Sequence, residues 1–90
     1  MPVTKIKDLR PGMRHVEVEG RVVHKEIVAR SPKLLAKALI RDDTGEITLN
    51  LWRDQVNQAN VGDIIRISDG FVKTWNKKSE LSTWADIKKE

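Results

Sequence analysis

Ile47-Thr48-Leu49-Asn50-Leu51-Trp52 alternates strictly between aliphatic and non-aliphatic residues. That period of two is the signature of a β-strand with one buried and one solvated face. Ile47, Leu49 and Leu51 point one way, so Thr48, Asn50 and Trp52 share the opposite face. A tryptophan therefore stands on the polar side of a strand. The chain has only four aromatics, three Trp and one Phe, and one of them lies outside the core pattern. An exposed indole in a basic chain suggests a stacking surface for nucleobases. The alternative is that Trp52 covers a sheet edge against the following segment with its N–H left wet.

On the N-terminal side, Asp43-Thr44-Gly45 is a tight turn between two alternating runs, a hairpin signal. The run before it, Leu34 to Asp42, is read as the second strand, although its alanines and leucines also suit a helix. Ala29-Arg30-Ser31-Pro32-Lys33 is a loop, since proline cannot donate to a ladder. His15 to Arg30 is one long first strand in which Gly20 marks a bend between two sheets. Residues 1–14 form a lead-in segment with a Pro11-Gly12 turn. On the C-terminal side, Arg53 to Val61 is expected to make a short helix of about two turns, stopped by Gly62. Asp63 to Trp75 is the fourth strand, with Ile65 and Ile67 inward and a bulge at Gly70. Asn76 to Ser79 is a polar turn, and Glu80 to Ile87 is the fifth strand. Three strands, a short helix and two strands form the order of an all-β, five-stranded OB-fold barrel, whose bent first strand serves both sheets. Closure also removes exposed sheet edges.

Ninety residues, 39% hydrophobic and 33% charged, fit a single small globular domain over 1–90. A formal net charge of +4 favours a polyanionic partner. No apolar run approaches membrane-spanning length, and Met1-Pro2-Val3-Thr4-Lys5 does not read as a signal peptide, so no membrane association and a cytoplasmic location are expected. There is no cysteine, and the two histidines, His15 and His24, are too isolated for a metal site. Asp42 and Asp43 are explained by the hairpin turn. With no nucleophile motif or phosphate-binding glycine loop, neither enzymatic activity nor a cofactor is expected.

Asp43-Thr44-Gly45-Glu46-Ile47-Thr48-Leu49-Asn50-Leu51-Trp52 resembles a signature of single-stranded DNA-binding OB-folds, in particular archaeal single-stranded DNA-binding proteins and replication protein A modules. Val61-Gly62-Asp63-Ile64-Ile65-Arg66-Ile67 is similar to the entry into their fourth strand, and Ile6 to Met13 and Gly20 to Val23 are similar too. The resemblance covers nearly the whole chain. It implies single-stranded DNA binding in replication, recombination or repair, with little sequence specificity and with other OB-fold subunits as possible partners. It also implies base stacking at the end of strand three and along strand four, on Trp52, Phe71 and Trp75. The residues agree in that Phe71 and Trp75 share a strand parity, flank Lys73 and follow Gly70; the competing role for Phe71 is core filling. Trp84 falls where the relatives usually carry a small residue, and is read either as a further platform or, preferentially, as a plug for the barrel end.

Basic residues cluster around the same face. Arg30 and Lys33 lie in the loop between strands one and two, and Lys77 and Lys78 in the turn between four and five, the loops that flank the OB-fold groove. Lys37 and Arg41 on strand two, Arg53 after Trp52 and Lys73 on strand four are placed to contact phosphates, against the alternative of ordinary solvated charges. An RNA-binding module and a structural OB subunit remain open as alternatives, because stacking and charge do not sense a 2′-hydroxyl.

Overall fold

The aliphatic runs around residues 16–22, 36–40, 47–51 and 65–67 form strands whose apolar parity faces inward. The computed structural model describes residues 3–90; Met1 and Pro2, which begin the expected lead-in, lie outside the described residues. The strands are β1 (Val16–Ala29), β2 (Leu35–Arg41), β3 (Glu46–Trp52), β4 (Ile64–Trp75), β5 (Lys78–Thr83) and the two-residue β6 (Lys88–Lys89). The first five close a ring in the order β1-β2-β3-β5-β4, with β4 returning to pair with β1. Every pairing is antiparallel except β3 with β5. This is the expected OB-fold barrel. β6 was not anticipated; it adds to β4 opposite Ile65 and Arg66.

β1 serves both halves of the ring. Val16 to Arg21 pair with β4, and Arg21 to Ala29 pair with β2. Gly20 sits at this handover because a Cβ there would lie 3.0 Å from the Arg41 carbonyl oxygen, a separation that only the absence of a side chain relieves. Val18, Val22, Ile40, Leu49, Leu51, Ile65, Ile67 and Leu81 fill the barrel and are fully buried. One end is closed by the lead-in, where a 3-10 turn (Ile6–Asp8) buries Ile6 and Leu9. The Asp42 carboxylate fastens it there, accepting from the Ile6 N–H at 2.9 Å and from the Thr44 and Gly45 N–H groups of its own hairpin at 2.7 and 3.1 Å.

Two boundaries differ from expectation. Arg53 to Val61 is not a two-turn helix but a 3-10 turn (Arg53–Asn57) followed by further turns. The chain enters it through Arg53 at φ 52°, and the buried side chain of Gln55 makes long-range bonds in place of a solvated helix face. The fifth strand runs Lys78–Thr83 rather than Glu80 to Ile87, so the turn before it is only Asn76-Lys77, Lys78 lies in the strand, and residues 84–87 form a connection. Trp84 consequently does not plug the barrel: it is 79% exposed. Among the described residues no helix is long and apolar enough to cross a membrane.

Candidate nucleic-acid interface

The outward parity of β3 carries Thr48, Asn50 and Trp52, as the alternation requires. On β4 the parity changes midway. Ile65 and Ile67 are inside, and so are Gly70 and Val72, one residue out of phase. The extra residue falls at Ser68-Asp69, where Asp69 has φ 53° and the ladder to β1 slips between Val16 and Val18. Without this bulge, Phe71, Lys73 and Trp75 would point into the barrel; with it they point out. Gly70 makes the inward side possible, since a Cβ would approach Leu81, Ile67 and Val16 to 3.1–3.3 Å.

β5 lies between these two strands and joins their outer faces. Thr48 pairs with Glu80, which in turn pairs with Lys73, while Phe71 pairs with Ser82. The result is a groove of about 340 Å³ with Leu35 and Trp52 on one side, Phe71, Thr74, Trp75 and Trp84 on the other, and Lys37, Asn50, Lys73, Glu80 and Ser82 between. Trp75 is 66% exposed. The Lys73 ammonium stands 5.1 Å from the centre of the Phe71 ring, a cation–π contact of about 0.5–1 kcal/mol at an exposed site.

The groove floor is polar and internally paired. The Lys37 ammonium donates to Asn50 Oδ1 at 2.9 Å and to both Glu80 oxygens at 3.0 Å. Asn50 Nδ2 donates to Glu80 Oε1 at 3.1 Å and to Ser82 Oγ at 3.2 Å. The Glu80 side chain is 12% exposed and that of Lys37 31%. An ammonium has three donors, and these contacts occupy all of them.

The structure thus brings Trp52, Phe71, Trp75, Lys37 and Lys73 into one groove. Lys77 and Lys78 stand at its rim, because Lys78 pairs with Trp75 across a hairpin whose turn residues Asn76 and Lys77 have φ 54° and 67°. Arg30 and Lys33 are exposed in the β1–β2 loop, which also contains a cis Ser31–Pro32 bond. Arg53 is exposed beside that loop, its N–H donating to the Leu34 carbonyl at 2.9 Å. Arg41 stands apart: it pairs with Glu46 at 3.1 Å and lines a separate depression with Lys5, Arg21, Asp42 and Asp43.

A second hollow, also of about 340 Å³, adjoins the groove and shares Phe71, Lys73 and Trp84 with it; Arg14, His15 and Asp69 complete its wall. His15 Nδ1 and the Asp69 carboxylate are in contact. The Trp84 ring lies 5.8 Å from that of Phe71, tilted by 33°. Arg14, Trp84, Asn50 and Glu80 are site-lining residues that the sequence reading did not select. Two of them carried a local signal: Asn50 shares the Trp52 parity, and Trp84 was weighed as a further platform but read preferentially as a plug.

Comparison with known proteins places this geometry. A single-stranded DNA binding protein of Saccharolobus solfataricus is 22% identical over 89 residues, 93% of this chain; the chain spans 60% of that protein's length. The crystal structure of a domain of replication protein A from Methanococcus maripaludis superposes with a TM-score of 0.78 at 27% identity, covering 98% of this chain and 94% of that one. The solution structure of a hypothetical protein from Arabidopsis thaliana shares the fold, with a TM-score of 0.82 at 20% identity over 100% of this chain and 73% of its own. Residues 16–86 match the family described as OB-fold nucleic acid binding domain, and the chain belongs to that family.

Proposed function

We propose that this domain, residues 1–90 acting as one module, binds single-stranded nucleic acid with little sequence specificity, DNA in preference to RNA. Bases stack on Trp52, Trp75 and Phe71, and Lys73, Lys77, Lys78, Arg30, Lys33 and Arg53 track the backbone. The observation that carries this reading is the bulge at Ser68-Asp69, which turns Phe71 and Trp75 outward to face Trp52 across one groove. Base–aromatic stacking is indifferent to sequence because every base has a π-face. Lys37, held by Glu80, and Arg41, away from the groove, contribute less than their strand positions suggest.

The preference for DNA rests on the likeness to the S. solfataricus protein and the replication protein A domain. The proposal extends to a role in replication, recombination or repair, to association with other OB-fold subunits and to a cytoplasmic setting. The domain acts as a binding module rather than an enzyme.

Titration of ¹⁵N-labelled protein with a short oligo-dT tests the proposal. Indole signals of Trp52 and Trp75 and amides of β3, β4 and the β4–β5 turn are expected to move, with weaker binding of oligo-U. Shifts confined to the Arg41–Asp43 depression, or none, would overturn it.

A further inference from the structure

We infer that the strand path continues past Phe71 into the second hollow, and that Trp84 is a further base-stacking residue dividing the two compartments. This rests on the single-strand reading above and adds one nucleotide to it.

Trp84 is 79% exposed, so no packing requirement accounts for an indole there. Its backbone is nevertheless held on both sides. The buried Gln55 amide donates to the carbonyls of Thr83 and Ala85, each at 2.8 Å. The Thr83 hydroxyl donates to the Ser68 carbonyl at 2.6 Å and accepts from the Ala85 N–H at 3.1 Å. A mobile side chain would be a poor platform; this one projects from a pinned backbone and leans on Phe71 with ring centres 5.8 Å apart. Stacking on a pre-positioned ring avoids part of the ordering cost of binding.

The occupant follows from continuity and charge. The hollow shares Phe71, Lys73 and Trp84 with the main groove, so a strand leaving that groove over Phe71 enters it directly. The wall of the hollow also carries Arg14, whose guanidinium suits a phosphate. The one carboxylate in this wall, Asp69, is engaged by His15. A base against Trp84 with its phosphate toward Arg14 and Lys73 matches this arrangement of two rings, Phe71 and Trp84, beside two cations.

Fluorescence anisotropy with oligo-dT of stepwise increasing length, on wild type, Trp84→Ala, Trp84→Phe and Trp52→Ala, tests the inference. Wild-type affinity is expected to rise with length to a plateau. Trp84→Ala should fall further behind wild type as the oligomer lengthens and level off about one nucleotide earlier, roughly 5- to 150-fold weaker on the longest, the factor equivalent to one lost stack. Trp84→Phe should restore most of the loss, and Trp52→Ala should weaken every length. A Trp84→Ala length profile superimposable on wild type, while Trp52→Ala is weakened, would overturn the second compartment and leave the proposed function standing. A change in self-association without a change in length profile would likewise overturn it, in favour of a protein contact. Failure of wild type to bind at any length would remove both.

Discussion

Glu80→Gln is expected to tighten nucleic-acid binding while weakening the fold. In the native floor the Lys37 ammonium directs all three donors to Asn50 and Glu80, at 2.9 and 3.0 Å, leaving none for a phosphate. Glutamine preserves the shape and can still accept one bond, but the countercharge is gone, and the formal net charge rises from +4 to +5. One further cation facing the strand is worth about 1 kcal/mol in a well-hydrated groove, or roughly fivefold in affinity. If about four phosphates are neutralised in wild type, log affinity falls with log salt at a slope of about −2.8; a fifth makes it about −3.5. Loss of a half-buried, charge-assisted pair costs about 1–2 kcal/mol of stability, or some 4–15 °C in Tm for a domain of this size. Anisotropy titrations with oligo-dT across a salt series, paired with thermal melts, read both quantities. Weaker binding with an unchanged salt slope would refute the reasoning, because Glu80 would then be supporting the binding surface rather than neutralising part of it.

Trp52→Ala should remove about 1–3 kcal/mol of binding at a stability cost well below the 3–5 kcal/mol of a buried Trp, whereas Leu51→Ala, fully buried one residue away, should cost about 2–5 kcal/mol of stability and spare the binding of folded protein; denaturation midpoints and titrations on both variants give the comparison. Burial works to raise the Asp42 carboxyl, but hydrogen bonds from Thr44, Ile6 and Gly45 prevail and hold it below its ordinary 3.8. A group depressed by folding adds stability above its unfolded value and loses it as pH falls through the folded one, so Asp42→Ala should cost about 1–3 kcal/mol at neutral pH, with the difference from wild type shrinking in melts below about pH 4. Lys77 has φ 67° in the β4–β5 hairpin, so Lys77→Gly should raise stability by about 1 kcal/mol while flattening the salt slope by about 0.7 if the lysine meets a phosphate.

What could be read from the sequence was what local period encodes. Ile47 to Trp52 carries its own face assignment, and Val16, Val18 and Val22 with Gly20 outline a long strand that bends. The barrel order follows from those strands and their turns. The bulge was half legible: Gly70 marked a disturbance, but the extra residue lies at Ser68-Asp69, and only the pairing with β1 and β5 locates it. The misread segments are those governed by distant partners. Gln55 is tied to residues 28 and 30 positions away, and this contact both replaces the expected helix and ends β5 before Trp84. Likewise Lys37 reads as a free cation on β2 until Glu80, 43 residues on, is brought beside it.

The central claim is that splayed bases, not duplex charge, engage the Trp52–Phe71–Trp75 face. Competition of a labelled oligo-dT by the unlabelled strand, and by the same strand within a duplex of equal length, tests this directly at fixed salt. Freeing duplex bases for stacking costs about 1.4 kcal/mol per step, so the duplex is predicted to compete at least about tenfold less well. Equal competition by the two would contradict the account and reduce the site to a generic basic surface.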